Sequence, residues 1–210
     1  MIKLAYCNVE NLNLNKAYKL VSKDRQSKIL SYKFDRDKKL SAGVYLLLKK
    51  LLNEESIFNP IFKVGEYGKA YISNYEDIYF NLSHSNDYVL CGISDKDIGV
   101  DIEYVDNSID LDIAKNYFFN DEYFNILNSK VPYDEFFNYW VLKESYMKYT
   151  GLGFHLKLDS FSINIDDEIK LNGDNNTVKF SLFDIDNYKV ACAGKYFLDT
   201  CVEYSVEDLY

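Results

Sequence analysis

The sequence contains few of the residues that break regular structure or bind metals through sulfur. Its 210 residues include only two prolines, nine glycines and two histidines. So few prolines and glycines argue against long irregular linkers. The four cysteines (Cys7, Cys91, Cys192 and Cys201) form no C-x-x-C pair and show no Cys/His ligand spacing. This scatter disfavours a structural zinc site or a disulfide framework.

Positive charge is also scarce. The formal net charge is −9 at pH 7, which argues against a nucleic-acid-binding protein, because binding to nucleic-acid phosphates requires a basic surface. Residues 16–50 are rich in Lys and Arg and predict a local basic patch, the alternative being a solvated lysine-rich helix face. The sequence shows no signal-peptide core and no membrane-spanning apolar run, so we expect a cytoplasmic protein without membrane contacts.

Two segments about 100 residues apart resemble each other. Residues 80–92 read FNLSHSNDYVLCG, and residues 180–194 read FSLFDIDNYKVACAG. Each predicts a strand, a turn and a returning strand, and each follows an amphipathic helical stretch, at 37–52 and 133–150. Strands of alternating aromatic residues also resemble one another by chance, so a chance likeness is the alternative to a true repeat.

The interpretation as a repeat predicts an α+β fold of two similar halves, each with a small antiparallel sheet and a long helix. We place the halves at residues 1–104 and 105–210, with a ligand cleft between them. Further helices are predicted at 15–33, 109–118 and 121–128. Strands are predicted at 2–8, 61–63, 70–73, 79–82, 88–94, 98–104, 161–165, 168–171, 178–184 and 188–195. The pattern has neither βαβαβ alternation nor a glycine-rich phosphate loop, which disfavours doubly wound folds.

The first candidate site is the predicted strand IGVDIEY at residues 98–104. Side chains alternate along a strand, so Asp101 and Glu103 share one face while Val100 and Ile102 point to the other. Two carboxylates on one face suit a hard divalent cation such as Mg²⁺. An edge strand with a wet acidic face is the alternative.

The second candidate site is the predicted helix around WVLKESYMK at residues 140–148. Trp140, Glu144, Met147 and Lys148 share one face, with Lys143 at its edge. An unpaired buried charge is costly, so a core helix would carry only apolar groups there. The alternative is an ordinary Glu144–Lys148 ion pair on a solvated face.

The third candidate is FNLSHS at residues 80–85, where His84 is predicted to follow a strand in a polar turn. This histidine could bind a phosphate or transfer a proton, or it could have no chemical task. Lys69 lies beside a glycine in EYGKA at residues 66–70, and it is a candidate binding residue only if a phosphate lies near.

Together and in this order, these segments resemble the 4'-phosphopantetheinyl transferases of the surfactin-synthetase-activating type. The family's G-x-D-x-E pattern matches residues 99–103, and its W-x-x-K-E-x-x-x-K pattern matches residues 140–148. The N-x-S-H-S and E-Y-G-K elements match residues 81–85 and 66–69. The resemblance extends over roughly residues 22–195 and implies the family's fold of two similar halves around coenzyme A and metal.

The resemblance implies transfer of the 4'-phosphopantetheine arm of coenzyme A to a serine of an apo carrier protein, with release of 3',5'-ADP. It assigns Mg²⁺, with Mn²⁺ as an alternative, to Asp101, Glu103 and Glu144. With Lys148, these residues are also the expected catalytic residues, and Glu144 is the candidate base. The carrier could serve fatty-acid, polyketide or nonribosomal-peptide synthesis, and a monomer is expected if both halves supply one site.

The residues that the resemblance assigns to coenzyme A are mostly cationic: Arg25, Lys28, Lys39, Lys69, Ser83, His84, Lys143 and Lys148. Lys143 and Lys148 are expected at phosphate, with Lys148 stabilising charge on the leaving group. Lys69, Ser83 and His84 are expected at the nucleotide end and its 3'-phosphate, and Lys39 matches a coenzyme-binding arginine. Close relatives have two lysines three residues apart where this chain offers Arg25 and Lys28.

Two other functions use the same residues. A Mg²⁺-dependent phosphohydrolase would use water as the nucleophile and consume coenzyme A without a carrier. A non-catalytic family member would bind coenzyme A or carriers without turnover. The presence of Asp101, Glu103, Lys143, Glu144 and Lys148 together argues against the second, because a chain released from catalysis need not keep all five.

Overall fold

The regular structure is given by a computed structural model that describes residues 2–166, 168–173 and 177–210, apart from the side chain of Phe154. In these ranges the helices are α1 (Leu14–Leu20), α2 (Lys23–Ser31), α3 (Asp35–Glu54), α4 (Ile113–Tyr117), α5 (Asn120–Asn128) and α6 (Pro132–Thr150). The strands are β1 (Ile2–Asn8), β2 (Phe62–Val64), β3 (Ala70–Ile72), β4 (Tyr79–Ser85), β5 (Tyr88–Ser94), β6 (Ile98–Tyr104), β7 (Ile163–Asn164), β8 (Lys170–Leu171), β9 (Lys179–Ile185), β10 (Tyr188–Gly194) and β11 (Val202–Glu203). Short 3₁₀ turns cover Gly153–His155, Leu158–Ser160 and Val206–Leu209.

Two small sheets pack against each other, with one long helix on the outer face of each. The first sheet has the order β11-β1-β5-β4 and the second β6-β10-β9, while β2-β3 and β7-β8 form separate hairpins. Strand alternation explains the layers: Leu4 and Leu90 enter the apolar layer between the sheets, whereas Ala5 and Cys91 face α3. On the second sheet, Ala193 and its neighbours face α6.

The packing of α3 fixes the first sheet in place. Five of its leucines, Leu46, Leu47, Leu48, Leu51 and Leu52, are at most 2% exposed. Burying one leucine side chain contributes about 1.5–3 kcal/mol. The apolar face of α3 is therefore a main source of stability for this half of the molecule.

The two halves repeat the same order of elements. A strand, a long helix and a hairpin appear first as β1, α3 and β4–β5, and again as β6, α6 and β9–β10. Both hairpins turn at a residue in the left-handed region, Asn86 with φ of 50° and Asp186 with φ of 51°, a conformation that Asn and Asp tolerate better than most residues. This repeat confirms the predicted α+β fold with a small sheet and a long helix in each half.

Strand pairing bears on where the halves divide. Strand β6 pairs in register with β10, Val100 lying opposite Cys192, and β11 pairs in parallel with β1, Val202 lying opposite Ala5. Strands β6 and β11 therefore each pair with a strand of the other predicted half. The division after Tyr104 stays a prediction.

Some local predictions need correction. The helix predicted at 15–33 is two helices, because Ser22 begins a new one: its hydroxyl accepts a hydrogen bond from the Arg25 backbone N–H at 3.3 Å. His84 lies within β4, paired with Val89, and not in a turn. The short strand β11 carries no alternation long enough to be detected. No helix in the described ranges has both the length and the apolar character needed to span a bilayer.

Candidate functional site

Gly99 allows α6 to lie directly on β6. A Cβ atom at position 99 would lie 2.0 Å from the backbone oxygen of Ser145 and 2.2 Å from the backbone nitrogen of Tyr149. Such distances are far below van der Waals contact, so no residue with a side chain fits here without moving the helix. This close approach places one face of α6 against the acidic face of β6.

The alternation predicted for β6 is confirmed. Val100 and Ile102 are fully buried in the apolar layer between the sheets. Asp101 and Glu103 lie on the opposite face, where Asp101 is only 2% exposed. A carboxylate buried to this degree requires polar partners.

The neighbouring strand β4 supplies those partners. The Ser83 hydroxyl donates to Asp101 Oδ1 at 2.8 Å, and the Ser85 hydroxyl donates to Glu103 Oε2 at 2.8 Å. Ser83 and Ser85 are two residues apart on β4, as are Asp101 and Glu103 on β6. Because side chains two residues apart lie on the same face of a strand, each hydroxyl faces one carboxylate. Each acid is thereby held in a fixed position.

Side chains of β4 also bond to the backbone of β6, along the seam where the two sheets meet. Asn81 Oδ1 accepts a hydrogen bond from the Val100 backbone N–H at 2.9 Å, and Ser85 Oγ accepts one from the Tyr104 backbone N–H at 3.1 Å. Strands β4 and β6 belong to different sheets, so these bonds satisfy backbone donors at the edge of β6. The sequence matched Asn81 and Ser85 to the N-x-S-H-S element but gave neither a role, although their i, i+2, i+4 spacing with Ser83 was a usable signal.

Lys148 of α6 completes the arrangement around Asp101. Its ammonium lies 2.6 Å from Asp101 Oδ1 and 2.9 Å from Ser83 Oγ. The other carboxylate oxygen, Asp101 Oδ2, is buried and has no hydrogen-bond partner. A buried carboxylate oxygen without a partner is costly, and it points to a group that binds there.

Charge repulsion accumulates among the three acids. Burial raises the pKa of Glu103 to about 7, and the nearby Asp101 carboxylate adds to the rise. Burial likewise raises the pKa of Glu144, again with a contribution from Asp101, while Lys148 opposes it. A cation placed among these side chains would favour their ionised forms.

These acids line one polar cleft of about 500 Å³. Its wall combines acidic, basic and aromatic side chains: Arg25, Lys28, Tyr32, Ser41, Val44, Ala70, Leu82, Ser83, His84, Asp101, Glu103, Trp140, Glu144 and Lys148. Eight of the eleven predicted site residues, including Lys148, therefore line the same cleft. Acids at one side and cations at another suit a ligand with several phosphates and a bridging metal ion.

The acids are not a preassembled metal site. Within the described part of the chain, no three His, Cys, Asp or Glu side chains are grouped closely enough to hold a metal ion. The residues nevertheless fit a divalent cation, because Asp101 Oδ2 is buried without a partner and Glu103 and Glu144 are both disfavoured as anions. Mg²⁺ commonly keeps several water ligands, so it does not require three protein oxygens in advance.

The basic side of the cleft is formed by α2 and β4. Arg25 donates to Ser41 Oγ at 3.4 Å and lies over the Tyr45 ring, and burial lowers its pKa. Lys28 is exposed one turn further along α2. Burial against the cleft wall and the nearby Lys148 charge lower the pKa of His84. Arg25 and Lys28 both line the cleft, and their contact with coenzyme A stays a prediction.

Lys69 is held by the protein and not left facing the cleft. Its ammonium donates to the backbone oxygens of Ile98 at 3.2 Å and Tyr149 at 3.0 Å, with Asp97 at 3.8 Å. Burial lowers its pKa. Lys69 thus joins the start of β6 to the last turn of α6, and its expected position at a nucleotide phosphate stays a prediction.

Lys39 also lies away from the polar cleft in this structure. Its ammonium donates to the backbone oxygen of Glu10. That bond ties α3 to the segment after β1, so the sequence match to a coenzyme-binding arginine does not place a cation in the cleft.

Lys143, expected at a phosphate, lies in the protein interior and not in the polar cleft. Its side chain is 0% exposed, and its ammonium lies 2.9 Å from Glu122 Oε2, 2.9 Å from the Leu158 backbone oxygen and 2.7 Å from that of Phe161. These three acceptors use all three ammonium protons, so none is left for a phosphate. Sequence reasoning missed Glu122, because nothing in the local sequence marks its pairing with a lysine 21 residues later.

An apolar chamber adjoins the cleft. It has a volume of about 720 Å³ and is lined by Asn116, Tyr117, Trp140, Glu144, Met147, Leu156, Lys157, Leu158 and Asp159. Trp140 and Glu144 line both the chamber and the polar cleft. The Lys143–Glu122 pair holds the backbone of Leu158 and so helps to fix one wall of the chamber.

The chain is similar in sequence to several known proteins. The profile of the 4'-phosphopantetheinyl transferase superfamily matches residues 97–193, which include β6, α6 and all of β10 except Gly194. The chain is 37% identical over 151 residues to "4'-phosphopantetheinyl transferase gsp" of Aneurinibacillus migulanus, covering 69% of this chain and 62% of that one. It is 40% identical over 142 residues to a 4'-phosphopantetheinyl transferase of Bacillus subtilis, covering 63% and 62%.

A third relative matches over a larger share. "4'-phosphopantetheinyl transferase ffp" of Bacillus subtilis is 32% identical over 161 residues, which are 71% of each chain. Among solved structures, holo-[acyl-carrier-protein] synthase of Neisseria meningitidis matches 47% of this chain and 96% of its own, with 17% identity and a TM-score of 0.41. The chain spans less than two thirds of the length of the first two relatives, 62% in each case. The sequence likeness shows that this chain belongs to the 4'-phosphopantetheinyl transferase superfamily.

Proposed function

We propose that the protein transfers the 4'-phosphopantetheine moiety of coenzyme A to a serine of an apo carrier protein and releases 3',5'-ADP. The observation that carries this proposal is the buried Asp101 carboxylate, fixed by Ser83 and Lys148 through one oxygen and unpartnered at the other. The family membership and the relatives' names support the same activity.

The polar cleft supplies what the substrate requires. Coenzyme A carries a pyrophosphate and a 3'-phosphate, and Arg25, Lys28 and His84 form a basic wall that suits the phosphates of its nucleotide end. Lys148 reaches between this wall and the acids, where its charge can stabilise the anionic leaving group. We assign Asp101, Glu103 and Glu144 to Mg²⁺ or Mn²⁺, which when bound would neutralise negative charge on the pyrophosphate oxygens.

The proposed reaction forms one phosphorus–oxygen bond and breaks another. The serine Oγ of the carrier forms a bond to the β-phosphorus of coenzyme A, and the bond from that phosphorus to the bridging oxygen of 3',5'-ADP breaks. The serine proton needs an acceptor, and Glu144 is the candidate because its carboxyl group lines both the polar cleft and the adjoining chamber. Trp140 and Glu144 open onto the apolar chamber, which leaves room on that side for the pantetheine arm and the approaching serine.

Intact mass spectrometry of an apo carrier incubated with the protein, coenzyme A and Mg²⁺ tests this proposal. We expect the carrier to gain one phosphopantetheine. Glu144→Gln should lower the rate at least about 100-fold if the carboxylate serves as base, whereas Glu135→Gln, on the same helix but outside the cleft, should not. Several apo carriers that stay unmodified while coenzyme A is bound or hydrolysed would overturn the proposal.

The proposed acceptor is an acyl, peptidyl or polyketide carrier. A monomeric state and a cytoplasmic location stay predictions.

A further inference from the structure

Lys148 already occupies the place of a cation in the polar cleft. Its ammonium lies 2.6 Å from Asp101 Oδ1 and 2.9 Å from Ser83 Oγ. The Asp101 side chain is 3% exposed, whereas that of Lys148 is 28% exposed. A fixed, buried carboxylate is thus neutralised by a cation on a flexible and partly exposed stem.

This neutralisation is incomplete. Asp101 Oδ2 is buried and has no hydrogen-bond partner, and Glu103 and Glu144 face the same cleft. Among the oxygens of these three carboxylates, Lys148 contacts only Asp101 Oδ1. The acidic side of the cleft therefore holds three carboxyl groups beside one ammonium, and it has one buried acceptor that the protein itself does not satisfy.

A divalent cation drawn to Asp101 would meet the Lys148 ammonium at close range. Two positive charges separated by a few ångströms in a partly buried site repel each other strongly. Either the ammonium stays and opposes the metal, or it leaves. The Lys148 stem can reorient into the cleft, whose opposite wall carries the cations Arg25 and Lys28 and suits the anionic part of a ligand.

We propose that Lys148 is a resident counter-ion of Asp101 that a divalent cation displaces, and that the displaced ammonium then binds phosphate oxygens of the ligand. The metal and the phosphate ligand consequently bind cooperatively, since each favours the same position of Lys148. This inference rests on the proposed function only in that it places both a cation and a phosphate ligand in this cleft.

Binding of Mn²⁺, followed by electron paramagnetic resonance of the free ion, tests the exchange without any turnover. The wild-type protein, Lys148→Met and Lys63→Met are compared with and without inorganic diphosphate. Lys63 is an exposed lysine of β2 that controls for the loss of one positive charge. Circular dichroism and thermal melting verify that each variant is folded, and Lys148→Arg keeps the charge as a second comparison.

Without diphosphate, Lys148→Met is expected to bind Mn²⁺ at least about tenfold more tightly than the wild type, a difference of about 1.4 kcal/mol. Lys63→Met and Lys148→Arg are expected to stay within about threefold of the wild type, because Lys63 does not line the cleft that holds the acids and arginine retains the charge. Diphosphate is expected to tighten Mn²⁺ binding several-fold more in the wild type than in Lys148→Met.

Two results would overturn the inference, and they differ in what else they affect. If Lys148→Met binds Mn²⁺ no more tightly than the wild type, the exchange is wrong while the metal site and the proposed activity stand. If neither protein binds Mn²⁺ even with diphosphate present, the exchange fails together with the assignment of a metal to these carboxylates.

Discussion

Lys143 and Glu122 form an ion pair that is closed to solvent. The ammonium lies 2.9 Å from the carboxylate, and the two side chains are 0% and 3% exposed. Glu122 also accepts hydrogen bonds from the backbone N–H groups of Phe119 and Ile163 at 2.9 and 2.8 Å. The pair therefore ties α5, α6 and β7 together, and its lysine lies only five positions before Lys148 of the polar cleft.

Removing one member of this pair should be costly. Lys143→Met leaves a buried carboxylate without its counter-ion, and breaking a buried pair costs about 3–5 kcal/mol. Replacing both partners, in Lys143→Met with Glu122→Gln, should restore part of the loss. Urea denaturation of the two single variants and the double variant gives the coupling energy. Additive losses would show that the two side chains do not stabilise each other.

Gly99→Ala should disrupt the contact between β6 and α6. The added methyl group would lie 2.0 Å from a helix backbone atom, and overpacking of this kind costs about 3 kcal/mol or more when backbone must move. Gly194→Ala is a matched control on β10, since its nearest neighbour is Asp97 O at an ordinary 3.5 Å. Thermal melting of both variants measures the difference. Equal melting temperatures would mean that α6 does not rest on β6 as described.

The stability of the metal-free protein should fall as pH rises toward neutrality. Glu103 has a pKa of about 7 when folded, against an ordinary value of 4.5. Its contribution is therefore fully present below about pH 4.5 and is lost as pH rises through about 7, by about 3 kcal/mol at most. Glu103→Gln should flatten this part of the profile. Urea denaturation between pH 5 and 8 without divalent ions measures it, and an unchanged slope in the variant would contradict the assignment.

Lys69 should act on stability and not on phosphate binding. Lys69→Met leaves the backbone oxygens of Ile98 and Tyr149 without their charged donor, which should cost about 1–3 kcal/mol. Lys63→Met on the same hairpin should cost less than about 0.5 kcal/mol. Denaturation and coenzyme A binding are measured for both variants. Unchanged stability with a large loss of coenzyme A affinity would return Lys69 to its predicted role at a phosphate.

Local sequence patterns predicted most of the regular structure around the site but ended β4 at residue 82, three residues too early. The boundaries predicted for β1, β5 and β6 agree with the structure, because alternation of apolar residues is a strong signal when one face of a strand is buried. The face shared by Asp101 and Glu103 follows from the same alternation. The break between α1 and α2 was missed, because a serine N-cap inside a polar lysine-rich stretch gives only a weak signal.

The partners of buried charges could not be predicted from local sequence. Lys143 and Lys148 have nearly the same local pattern, yet Lys143 lies under the segment at 158–161 and Lys148 faces β4 and β6. The difference depends on which acceptors the tertiary fold brings to each ammonium. The pairing of Ser83 with Asp101 likewise depends on the seam between two sheets, which sequence separation does not reveal.

The account is tested most directly by measuring both products of one reaction. Liquid chromatography with mass spectrometry quantifies 3',5'-ADP and modified carrier after incubation of the protein with coenzyme A, Mg²⁺ and an apo carrier. A carrier with its acceptor serine changed to alanine serves as control. We predict equal amounts of the two products with the intact carrier and neither product with the control. Release of 3',5'-ADP at the same rate without an acceptor serine would contradict the transferase account and show a phosphohydrolase.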